Sequence, residues 1–175
     1  GAPILLYPVK VLLALAARAG LPDIVAAIEQ NAAMFTFATT LKPGAALGTT
    51  ARITVDVDGL LYAFGMPLYA ALVVAAREPR WPRTLALGYA VQLPFVAWGV
   101  LADFLKNIAI TSGSLVASQT DFAAWQREAI AFAFQFGSLI LPTVVPAVTW
   151  VLTHRAFLER LREPPSRGAA PTSPR

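Results

Sequence analysis

The sequence predicts a mainly α-helical, polytopic membrane helix bundle: three clear spans, a partial N-terminal one, and a small β-hairpin outside the membrane. Three observations predict it. Residues 129–153 (AIAFAFQFGSLILPTVVPAVTWVLT) carry no charge, and residues 84–106 (TLALGYAVQLPFVAWGVLADFLK) carry none before Asp103. At about 1.5 Å per residue each stretch reaches roughly 30 Å as a helix, the hydrocarbon thickness of a bilayer. Of 175 residues, 57% are hydrophobic and only 14% charged, where soluble domains carry about a quarter. Between positions 34 and 58, finally, the apolar residues change from helical to alternating spacing.

Segment 4–19 (ILLYPVKVLLALAARA) is short for a span of about 20 residues, and Pro8, Lys10 and Arg18 interrupt it. We expect residues 1–19 to be the outer end of a first transmembrane helix that begins ahead of Gly1. The competing reading is a helix lying in the interface with Lys10 snorkelling. A start at Gly1 rather than Met favours the first. Gly20 is a stop, and Pro22 in a first turn predicts a short helix over residues 23–30.

Residues 20–58 are expected to place that helix and a β-hairpin outside the membrane. Phe35, Phe37 and Leu41 alternate with Thr36, Ala38 and Thr40; Ile53, Val55 and Val57 alternate with Arg52, Thr54, Asp56 and Asp58. That is strand periodicity twice, with Pro43, Gly44 and Gly48 in the loop between. A lone two-stranded hairpin is marginal in water. Its apolar face of Phe35, Phe37, Ile53, Val55 and Val57 must therefore rest on the bilayer surface, on the short helix, or on a partner. The hairpin reads either as a small cap on the bundle or as a partner surface.

Residues 59–155 hold the three clear spans. The first, 59–76, starts behind Asp58, which is placed to cap it. A basic loop at 77–83 (REPRWPR) leads into 84–106, and a polar connection at 107–128 leads into 129–153, with Phe122 and Trp125 at the interface. Residues 156–175 form a basic, Pro-rich tail of disordered composition. Orientation follows from Lys and Arg. Arg77, Arg80 and Arg83 fill the loop, and Arg155, Arg160, Arg162, Arg167 and Arg175 the C-terminal end. By contrast, 20–58 holds only Lys42 and Arg52, and 107–128 only Arg127. The loop and C-terminus are expected in the cytoplasm, the hairpin and the connection outside.

Within the spans, Gly88, Gln92, Val96, Gly99, Asp103 and Lys106 share one helix face, and Gln135, Ser138, Pro142, Val145 and Thr149 share another. Small and polar residues of this kind build helix seams in membranes, so the two stripes are expected to meet. A polar path would need ionisable groups at mid-depth, and none is there. Asp103 falls about 28 Å along its helix from Thr84, near the outer interface and one turn from Lys106, its expected partner. Pro94, Pro142 and Pro146 free the carbonyls of Ala90, Ser138 and Pro142. Such groups need partners in hydrocarbon, so the last helix should bend around 138–146 and turn that bend toward protein.

Catalysis finds little support. The chain has no Cys and one His, His154, read as an interfacial residue at a helix end. No cluster has metal-ligand spacing, Ser112 and Ser114 lack a base, and no phosphate-cradling glycine loop occurs. No catalytic residue, metal, cofactor or nucleic-acid partner is expected.

The stretches LLYAFGMPL (60–68), LPFVAWGVLADFLK (93–106) and QFGSLILPTVVPAVTW (135–150), in that order, together with LPDIVAAIEQ (21–30), resemble the exosortase H-associated membrane proteins of Gram-negative bacteria. The likeness covers most of residues 5–157. It implies an inner-membrane accessory protein associated with an exosortase, a membrane transpeptidase-like protease that cuts a C-terminal sorting signal using Cys, His and Arg. Lacking Cys, this chain is not expected to be the enzyme. The alternative is a small structural subunit of a larger respiratory or photosynthetic complex, binding lipid or pigment. A transporter is disfavoured by the lack of an internal repeat.

Overall fold

The computed structural model describes residues 2–42, 52–77, 79–120, 122–155, 158 and 159. The expected hairpin loop around Pro43, Gly44 and Gly48 and most of the C-terminal tail lie outside them. Helix α1 (Ala2–Gly20) is followed by strands β1 (Val25–Asn31), β2 (Met34–Thr39) and β3 (Thr54–Asp58). Then come two short helices, α2 (Leu60–Ala63) and α3 (Gly65–Ala75), and the long α4 (Trp81–Lys106). A π-helical turn at Asn107–Thr111 extends α4, and α5 (Ser114–Ala117) follows. Helix α6 (Ala124–Gln135) runs through a second π turn, Phe136–Ile140, into α7 (Leu141–Thr153).

Among the described residues, three helices are long and apolar enough to cross a membrane: Pro3–Gly20, Trp81–Thr111 and Ala124–Thr153. The segment expected as a partial N-terminal span is thus one of the three. The expected span at 59–76 is the helix Leu60–Ala75, shorter than these three and divided at Phe64. Its start is as expected, with the Leu60 amide donating to the Asp58 carboxylate at 2.9 Å. The connection at 107–128 is also shorter than expected, because helix continues to Thr111 and resumes at Ala124.

The sheet has one strand more than the sequence reading supplied. Order is β1-β2-β3, antiparallel throughout, with Phe35 opposite Val57 and Phe37 opposite Val55. The helix expected at 23–30 is β1. A helix of that length is marginal on its own, whereas as a strand it satisfies the free edge of β2. The turn from β1 to β2 is made by Ala32 and Ala33, with Ala32 at φ 54°, a left-handed conformation uncommon for a residue with a side chain. Asn-Ala-Ala lacks the glycine that marks such turns, which is why the sequence hides it. The Gln30 amide braces the corner, donating to the carbonyls of Pro3 and Ala32, each at 3.1 Å.

Phe35, Phe37 and Thr39 of β2 and Val55 and Val57 of β3 point to one buried face. That face closes on Leu6, Val9 and Leu13 of α1 and on Val100 and Phe104 of α4. Full burial of a Phe, Leu or Val side chain contributes about 1.5–3 kcal/mol, so this joint is the main core. On the rest of α1, Ile4, Tyr7 and Leu15 are exposed. An apolar outer face suits a helix surrounded by lipid.

Helices α2 and α3 run antiparallel to α4 and pack on it through two notches. A Cβ at Gly88 would fall 2.0 Å from the Tyr69 ring, and one at Gly99 would fall 2.2 Å from the Tyr62 ring. Tyr69 completes its fit by donating to the Thr84 carbonyl at 3.0 Å. The last helix closes the other side, where Trp150 Nε1 donates to the Leu72 carbonyl at 3.0 Å.

Candidate functional site

The polar groups singled out in the sequence collect at the Lys106 end of α4, beside the sheet. Lys106 Nζ lies 2.6 Å from Asp103 Oδ1, and the Asn107 amide donates to the same oxygen at 3.1 Å. The ammonium of Lys106 also sits 3.8 Å above the centre of the Phe134 ring, a cation–π contact. Side-chain exposure is 26% for Lys106 and 14% for Asp103, so both are largely withdrawn from solvent. The buried Tyr62 hydroxyl has no hydrogen bond of standard geometry. Chemically, the cluster is a saturated ion pair that ties α4 to α6. Its one carboxylate is paired with the Lys106 ammonium.

The two stripes meet only in part. Gly99 does approach the last helix, its Cα lying 3.2 Å from where a Gly137 Cβ would be. The other side of the Gly88 and Gly99 notches belongs to Tyr69 and Tyr62 rather than to the last helix. Gln92 is buried and donates to the Gly88 carbonyl of its own helix at 3.2 Å, with its oxygen facing Gly65. Gln135 is exposed, and its carbonyl accepts from Ser138 at 3.4 Å. The two glutamines are not brought together, because they lie at different heights along antiparallel helices.

The proline segment of the last helix faces protein. Pro142 and Pro146 are buried, the π turn at Phe136–Ile140 directly precedes them, and a Cβ at Gly65 would meet the Pro142 carbonyl at 2.3 Å. Thr143 supplies a local donor, its hydroxyl 3.0 Å from the Ile140 carbonyl. Pro94, by contrast, is exposed on the outside of α4.

One sequence reading is corrected here. The hairpin face proposed as a partner surface is internal: Phe35, Phe37, Val55 and Val57 are buried in the core, with Ile53 packed at its margin. The reason is the one that raised the question, since α1 and α4 cover what two strands cannot. His154 sits at the C-terminal end of α7, where the sequence places it, and is 1% exposed. It stacks on Trp150 with ring centroids 5.1 Å apart, and its Nδ1 lies 3.0 Å from the Trp150 carbonyl.

Gln119 carries no signal in the sequence. Its amide grips the backbone of Lys42 at both ends, accepting from the amide at 3.0 Å and donating to the carbonyl at 2.9 Å. It pins the connection after α5 to the strand region, and a lone polar residue in a polar loop carries no pattern that would reveal it. Among the described residues, no group of three or more His, Cys, Asp or Glu could hold a metal ion.

Long apolar helices with apolar outer faces, packed through glycine notches and carrying a small sheet at one end, define an integral membrane helix bundle. Within that class the chain belongs to the exosortase H-associated membrane proteins, whose family model matches residues 1–157. The resemblance carried by residues 60–68, 93–106 and 135–150 is thereby borne out. No curated protein and no solved structure matches the chain.

Proposed function

We propose that this protein is a non-catalytic accessory subunit of a C-terminal protein-sorting system in the bacterial inner membrane, held against an exosortase. The family match carries the reading. The state of the chain's own chemistry supports it: the Asp103 and Lys106 charges satisfy each other and His154 is enclosed. With the apolar sheet face also spent on the core, the protein acts through its outer surface, by binding. The basic turn of Arg77, Arg80 and Arg83 lies in the cytoplasm on this reading, which places the sheet in the periplasm and the C-terminus in the cytoplasm. Deleting the gene tests the role. Sorting-signal cleavage should fall while the exosortase still reaches the membrane, and normal cleavage in the deletion strain would refute an accessory role.

A further inference from the structure

Between α1, α3 and the first half of α4 the bundle leaves an open groove of about 500 Å³. This is the size of a ligand pocket, roughly 300–1,000 Å³. Its floor includes Met66 and Tyr69 of α3 and Leu85 and Tyr89 of α4, and Leu5 of α1 closes one side. Tyr89 donates a hydrogen bond to the Leu5 carbonyl, which fixes α1 against α4 there. Along α4 the lining runs from Trp81 to Gln92, about 16 Å at 1.5 Å per residue. The lining is almost wholly apolar.

Trp81 and Pro82 belong to the lining at the start of α4, and Arg80 and Arg83 flank them in sequence within the same helical turn, with the Arg83 amide bonded to the Arg80 carbonyl at 3.0 Å. Arg77, two residues beyond the end of α3, has a left-handed backbone at φ 49°. All three arginine side chains are exposed. An apolar slot that begins at an interfacial Trp under a cluster of Arg matches an anionic phospholipid at both ends. We propose that the groove holds one acyl chain of such a lipid, drawn from the leaflet on the Trp81 side, with its phosphate held by Arg80 and Arg83. Basic pockets between transmembrane helices commonly take anionic headgroups in this way. The site concerns lipid and does not depend on the exosortase reading.

The full chain, reconstituted in nanodiscs, tests this with photoreactive phosphatidylglycerol carrying a diazirine in its tail. Cross-links should concentrate on peptides containing Met66, Leu85 and Tyr89, which are half-buried, over the more exposed positions Phe132 and Leu139. Phosphatidylcholine with the same tail should not show the bias. Arg80→Gln with Arg83→Gln should weaken phosphatidylglycerol retention roughly 25-fold, at about fivefold per arginine near the surface. Ala86→Phe, which fills the slot from its exposed lining, should remove the bias altogether. Equal labelling of the groove and of Leu139 would overturn the proposal. So would equal binding of both lipids, or cross-links showing a second copy of the chain or another helix seated in the groove.

Discussion

The ring of Phe37 in β2 lies on the ring of Phe104 in α4, with centroids 4.3 Å apart and planes 18° from parallel. Both side chains are fully buried, so the sheet is fastened to the bundle by its own apolar face. Phe37→Ala should cost about 3–5 kcal/mol, the usual penalty for emptying a buried Phe site. Thermal melting in detergent, together with the amount of protein in the membrane, checks it. Loss of the protein itself is expected. A stable, abundant variant that had lost only sorting-signal cleavage would show that the face meets a partner instead.

The notch at Gly88 makes a sharper case. Gly88→Ala places a methyl 2.0 Å from the Tyr69 ring and should destabilise by about 1–3 kcal/mol, as overpacking does. Gly20→Ala, with nothing within 4 Å, serves as the control and should leave the melting point nearly unchanged. Adding Tyr69→Ala to Gly88→Ala should cost less than the sum of the two single changes, since the pair shares one contact. Strict additivity would mean that α3 does not dock there.

For the ion pair, the single variants Asp103→Leu and Lys106→Leu should each lower stability more than the double variant. Removing one partner strands a charge in a largely dry site, whereas removing both leaves none. Melting curves of the three variants decide the order. If the double variant melts normally yet no longer supports cleavage, the pair has a role beyond holding α4 to α6.

Orientation is open to labelling. Cysteines replacing Glu29 and Ser114, both exposed, should react with an impermeant thiol reagent in intact spheroplasts. A cysteine replacing Arg80 should react only after lysis. The reverse pattern would invert the arrangement derived from the positive residues and move the arginine-flanked groove to the other leaflet.

How much of this was legible in the sequence depends on whether the signal was local. Charge-free runs set the long helices, and alternation set β2 and β3, because each pattern repeats within one element. The Asp103–Lys106 pair was legible for the same reason, being one turn apart. Strand β1 was not, since VAAIEQN has no alternation strong enough to outweigh the helix signals of Pro22 and Asp23; its identity comes from the edge of β2. Nor could spacing tell that Tyr62 and Tyr69, rather than the last helix, fill the glycine notches of α4. The groove was invisible for a similar reason. It is made by three helices, and no single stretch of sequence contains it.

The accessory role is tested most directly by what the protein carries with it out of the membrane. Gentle detergent extraction of the tagged full chain, followed by mass spectrometry of the co-purifying proteins, should recover an exosortase as the main partner. The Gly20→Ala control should recover it equally well. Recovery of respiratory or photosynthetic subunits, with no exosortase among them, would contradict the account.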